Sequence, residues 1–172
     1  MSLLRFLGLT DRSDTGGERG DTQTVRRISA KLERLDADKA KYLAAFAYVL
    51  ARVANADLEI DASETAEMER VVTTLAELSE AEAALVVEIA KSQARLLGGT
   101  ENYVVTREFR EMTTKEQRAK LLECLYAVAA ADGTISSVES SEIVAIAEEL
   151  GFTRPEANSL RSAYRDKLAE FQ

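Results

Sequence analysis

Apolar residues recur along the chain at three- and four-residue steps. Val25, Ile28, Leu32 and Leu35 form one stripe, and Leu43, Phe46, Leu50 and Val53 form the next. Met68, Val71, Val72 and Leu75 follow, then Leu85, Val86, Ile89 and Leu96. Leu121, Leu125 and Val128, then Ile143, Ile146 and Leu150, and last Leu160, Tyr164 and Leu168 continue the series. Polar residues occupy the positions opposite, as amphipathic helices require. No segment alternates with period two. The punctuation agrees: Gly98-Gly99 and Gly151 are helix stops. Asp61 with Glu64, Ser79 with Glu82, Ser136 with Glu139 and Thr153 with Glu156 have the spacing of capping boxes that open helices. The pattern predicts an all-α fold, a single compact domain of about seven to eight helices. The segment from Gly98 to Met112 is the least regular part.

Composition narrows what such a domain can do. The chain has 172 residues, 46% hydrophobic and 30% charged, which suits one globular domain with a real core. It contains no His and a single Cys. Ser-His-Asp and Cys-His catalysis are thereby excluded within this chain, as are His-ligated metals, internal disulfides and thiolate zinc clusters. Acids outnumber bases, 30 to 22, for a net charge of −8. An acidic chain repels phosphate backbones, so no nucleic acid is expected as partner. A metal site here must be built from carboxylates, carbonyls, hydroxyls and water, a donor set suited to Ca²⁺, Mg²⁺ or Mn²⁺.

The N-terminus reads differently. Residues 1–9 are apolar apart from Ser2 and Arg5, too short a run to span a membrane and without the basic start of a signal peptide. Residues 11–21, with Gly16, Gly17 and Gly20, read as a linker. The expected organisation is a flexible segment over residues 1–23 and a helical domain over 24–172. Contact of residues 1–9 with a membrane surface is the minor alternative to docking on the domain or to disorder, because one Arg offers little attraction to anionic lipid. The absence of a secretion signal and the single thiol favour the cytoplasm.

Residues 44–75 align without gaps with residues 119–150. Phe46, Leu50 and Val53 match Leu121, Leu125 and Val128. Ala56-Asp57 matches Ala131-Asp132, Ile60 matches Ile135, and Glu64 and Glu67 match Glu139 and Glu142. The repeated unit is an apolar helix, Ala-Asp, a short turn with Ile, a cap residue and a second helix with Glu in its first turn. It reads as an internal duplication of a helical hairpin, and the two copies are expected to pack about a pseudo-twofold axis.

The second turn has the spacing of the latter half of an EF-hand loop: Asp132, Gly133, the apolar Ile135, then Glu139. Val128 and Ala130 stand where the first half would supply carboxylates, so a standard EF-hand is rejected. A reduced site would use Asp132, Ser136, Glu139 and backbone carbonyls. The first turn is more acidic, with Asp57, Glu59, Asp61, Glu64, Glu67 and Glu69 and no base before Arg70. Asp61 and Glu64 are three apart at a helix start and can converge. Capping accounts equally well for Asp61, Glu64, Ser136 and Glu139. It does not account for Asp57 and Asp132, which follow a helix C-terminus, where the dipole disfavours an anion. Cation site and capped, solvated surface therefore stand side by side.

The stretch Leu-x-x-Val-Ala-x-Ala-Asp-Gly-x-Ile-Ser-x-x-Glu from Leu125 to Glu139, and its partner from Val53 to Glu64, resemble the two motifs of the TerB-like tellurite-resistance family. The resemblance spans roughly residues 25–168. It implies an all-α domain of about seven helices with internal duplication, acidic residues proposed to chelate a metal, and a link to tellurite resistance and stress responses. The domain also occurs in membrane-associated J-domain co-chaperones. The positions carried over are Asp57, Asp61, Glu64, Asp132 and Glu139. Leu58 in place of Gly133, and Ser136 in place of Asp61, depart from two equivalent acidic turns.

The leading expectation is a non-enzymatic domain that binds a divalent cation through Asp57, Asp61, Glu64, Asp132, Ser136 and Glu139, with no organic cofactor. The alternative is an acidic helical interaction module for a basic protein partner, membrane-peripheral through its N-terminus and without metal. A carboxylate hydrolase is the third class. Cys124 is expected as a buried structural thiol, and Tyr42, Tyr48, Tyr126 and Tyr164 as packing residues.

Overall fold

A computed structural model describes residues 19–54, 62–94, 102–131 and 133–172 of the chain. Among the described residues, eight α-helices run in the order α1 Arg19–Glu33, α2 Ala37–Ala54, α3 Ala62–Ala76, α4 Glu80–Ala94, α5 Asn102–Met112, α6 Lys115–Ala129, α7 Ser137–Glu149 and α8 Arg154–Ser162. Two 3-10 turns follow, Arg165–Lys167 and Ala169–Phe171. Among the described residues there is no strand, only one isolated parallel bridge between Ile135 and Leu168. None of the described helices is long and apolar enough to cross a membrane.

Helix α2 is the axis of the fold. Every residue from 43 to 51 is buried, because α4, α5, α6 and α7 all pack against it. A helix apolar all round has no solvent face to offer. Its alanines Ala44, Ala45, Ala47 and Ala51 keep the neighbouring axes close, and Phe46 fills the space between. Phe46 meets Phe109 of α5 edge-on at 6.3 Å, and Tyr42 stacks on Phe109 at 5.6 Å. Helix α1 lies on α4, where Arg27 and Lys31 converge on Glu88. Helix α3 packs on α6 and α4, and α7 packs on α6, α8, α2 and α5. Each helix after a turn thus lies across the helix before the other turn. Helices α6 and α7 also pack on each other, whereas α2 and α3 share little.

The helix boundaries follow the expected local chemistry. Capping boxes are present at Ser79 with Glu82, Ser136 with Glu139 and Thr153 with Glu156. A further one, Thr114 with Gln117, opens α6. Asp36 caps α2 by accepting from the backbone N–H groups of Asp38 and Lys39. At the end of α7, Gly151 N–H donates to Glu148 O at 3.0 Å, and Phe152 N–H donates to Ala147 O at 3.0 Å. This is a Schellman motif, and it needs Gly151 at a positive φ of 86°.

Two boundaries differ from the sequence reading. Helix α1 already begins at Arg19, so it covers positions that composition assigned to a linker. The stripe Leu160, Tyr164, Leu168 is not one helix, since α8 ends at Ser162. Leu168 is extended instead, because the backbone beside it pairs with Ile135 and its side chain enters the core. The segment from Gly98 to Met112 contains α5, anchored by buried Val105, Thr106 and Phe109. Residues 1–9, Leu96 and Gly98-Gly99 lie outside the described residues.

Candidate functional site

The sequence placed the site in two turns, one after α2 and one after α6. Asp57, Asp61 and Asp132 lie outside the described residues, as does Ile60. Glu64, Ser136 and Glu139 are described. Glu64 sits exposed in the first turn of α3. Among the described residues, no three acidic or sulfur side chains gather in a way that could hold an ion.

Ser136 and Glu139 meet in full capping geometry. Glu139 N–H donates to Ser136 Oγ at 3.2 Å, and Glu139 Oε2 accepts from Ser136 N–H at 2.8 Å and from Ser136 Oγ–H at 2.7 Å. The cap uses Oε2 of Glu139, while Oε1 accepts no hydrogen bond from a described residue. Glu139 can therefore cap with one oxygen and offer the other to a ligand. Gly133 has a φ of 102°, a conformation that only glycine takes without strain.

The C-terminal segment holds this second turn from outside. Ile135 N–H donates to Lys167 O at 2.7 Å, and Ala169 N–H donates to Ile135 O at 2.9 Å. The side-chain amide of Gln172 donates to Gly133 O at 3.3 Å and accepts from Thr134 Oγ1 at 2.8 Å. Ile135 and Leu168 are both buried beneath these contacts. The backbone of Ile135 thus pairs with the chain's own tail.

The second matched pair of glutamates divides sharply. Glu142 of α7 accepts from Arg52 of α2, at 2.8 Å from Nε and 2.7 Å from Nη2. The same guanidinium donates to Glu149 Oε2 at 2.8 Å and to buried Thr106 Oγ1 at 2.9 Å. The Arg52 side chain is only 6% exposed. Burial opposes its charge, but the bonds to Glu149 and Glu142 outweigh that and raise its pKa further. Glu67, the partner of Glu142 in the alignment, pairs with Arg70 one turn along its own helix at 2.5 Å. Sequence reasoning passed over Arg52. The signal was available, since it is the one charge in the otherwise apolar run of α2 after Lys41.

Burial holds Cys124, Tyr126 and Tyr42 in their protonated forms. Cys124 is fully buried, and burial together with nearby Glu123 pushes its thiol up to about 12. Tyr126 stacks on Tyr164 at 5.3 Å, and burial pushes the Tyr126 hydroxyl up to about 12. Tyr42 is raised to about 12 for the same first reason.

A family model described as "Tellurite resistance protein TerB" matches residues 43–162, from within α2 to the end of α8. No curated protein and no solved structure matches the chain.

Proposed function

Since this chain belongs to the TerB family of tellurite-resistance proteins, we propose that its two acidic turns bind a divalent cation and that the domain acts by binding rather than by catalysis. The observation that carries the reading is the uneven use of carboxylates. Asp57, Glu59, Asp61, Glu64, Glu67 and Glu69 follow one another with no base before Arg70. Like charges at such density repel, and a hard cation relieves the repulsion with oxygen ligands alone. Asp57, Asp61 and Glu64 supply the stronger half. Asp132 and Glu139 supply the weaker, with Glu139 using its Oε1 and Ser136 serving first as the cap. The duplication of the hairpin gives the two halves their common plan.

A non-enzymatic role is supported by the chemistry of the remaining groups. There is no His to activate a nucleophile, and the one thiol is protonated at any physiological pH. Thermal denaturation with and without millimolar Ca²⁺, Mg²⁺ or Mn²⁺ tests the binding, because a ligand of the folded state raises the melting temperature by mass action. A rise reversed by chelator is expected, and an unchanged transition with all three ions overturns the reading. The second reading, an acidic face for a basic protein partner, rests on the net charge of −8 and the exposed Glu64. It predicts a salt-sensitive partner that is indifferent to chelator.

A further inference from the structure

Helices α7 and α8 leave an open groove of roughly 370 Å³ between them, lined by Ser140, Ser141, Val144, Arg154, Asn158 and Arg161. In a chain with 30 acidic residues, this lining contains none. Its polar atoms are two hydroxyls, one amide and two guanidinium groups, all able to donate hydrogen bonds. We infer that the groove is a binding site for a phosphate-class oxyanion, such as a phosphate monoester.

Ser140 is one of two buried polar residues among those described, at 4% exposure. Its Oγ accepts from Arg161 Nε at 2.9 Å, and its own hydroxyl proton has no acceptor among the described residues. Because its oxygen is engaged by Arg161, that hydroxyl is left to donate to whatever occupies the groove, and an oxyanion would accept from it. Arg161 is pre-positioned by that same bond and by a second one from Nη2 to Glu170. The rest of its planar fork remains to donate, and such a fork matches the paired oxygens of a phosphate. Arg154, across the groove, gives only its Nε to Glu148, at 3.2 Å. Asn158 and Ser141 carry no hydrogen bond to a described residue through their side chains, and they line the same space. Glu148 and Glu170 hold the two arginines in place without themselves lining the groove. Val144 adds an apolar wall for the carbon skeleton of an ester.

The test is a titration of the isotopically labelled chain with inorganic phosphate, followed by amide chemical shifts, against sodium chloride at matched ionic strength. Saturable shifts at residues 140, 141, 154, 158 and 161 with phosphate, and none with chloride, are expected. Arg161→Gln should weaken binding roughly tenfold or more, as loss of one charged hydrogen-bonding partner implies. Arg161 also ties α8 to Ser140, so Arg154→Gln serves as the control that leaves the packing intact. It should weaken binding severalfold with an unchanged melting temperature. Parallel titrations with glycerol phosphate and O-phosphoserine separate a lipid-derived from a peptide-derived ester, and tighter binding of either than of phosphate supports the site. Shifts that follow ionic strength alone, or an affinity indifferent to Arg154→Gln, overturn the proposal.

Discussion

The two turns share a sequence plan, but the helices that follow them use their aligned glutamates differently. After α6, described residues tie the turn and its following helix to distant parts of the chain. Ser136 and Glu139 cap α7, Ile135 bridges to the tail, and Glu142 locks α7 to Arg52 of α2. After α2, the aligned glutamates are used locally, although Glu67 is hardly more exposed than Glu142 (38% against 35%). Glu64 is exposed, and Glu67 pairs within its own helix. The same residue type at the aligned position bridges to another helix as Glu142 and pairs within its own helix as Glu67. What separates them is not the glutamate but its surroundings: a base buried in α2 reaches Glu142, whereas Glu67 pairs with Arg70 of its own helix.

The largest break in this comparison comes from Arg52. Arg52→Ala strands Glu142 and Glu149 in a half-buried site and should cost about 3 kcal/mol in urea denaturation. Arg70→Ala, at the pair formed by Glu67, should leave the midpoint unchanged. Equal effects would erase the distinction. Leu168→Ala comes next. It opens a cavity under Ile135 and should cost about 2–4 kcal/mol, loosening the turn around Ile135. Amide hydrogen exchange at Ile135 and Ala169 would report that loosening directly.

Much of this was readable in advance. The helical period, the stops and three of the capping boxes follow from residue spacing, because caps and stripes are local physics. The tail was misread for the converse reason. Leu160, Tyr164 and Leu168 have helical spacing, and only the distant backbone of Ile135 takes Leu168 out of the helix. The Arg52 tether likewise spans 90 residues to Glu142 and leaves no periodic trace. The candidate site was legible as composition, carboxylates gathered in two turns, whereas which of them the fold commits elsewhere depends on packing.

Smaller effects sharpen the comparison. Gly151→Ala must hold a positive φ and bring its Cβ within 2.9 Å of the Arg110 guanidinium, so a loss of about 1–2 kcal/mol is expected by thermal denaturation. Ser136→Ala removes one cap and should cost about 1 kcal/mol. The weakest effect is acid lability. Glu156 is held down to about 2, first by Lys115 and then by Thr153. Burial opposes the charge on Glu88, but the bonds from Lys31 and Arg27 more than offset it and lower the pKa. A carboxylate depressed in the folded state contributes its full stability above the ordinary value of 4.5 and loses it as pH falls toward the folded value. The melting temperature should therefore decline between about pH 4.5 and 2, with a slightly shallower slope in Glu156→Gln.

The most direct test is calorimetric titration of Ca²⁺, Mg²⁺ and Mn²⁺ into the wild type, Asp57→Asn, Asp132→Asn and the double variant. Saturable heat is predicted, with affinity falling further in Asp57→Asn than in Asp132→Asn and lost in the double variant. No heat at millimolar ion, or an affinity unchanged in the double variant, would contradict cation binding by these turns.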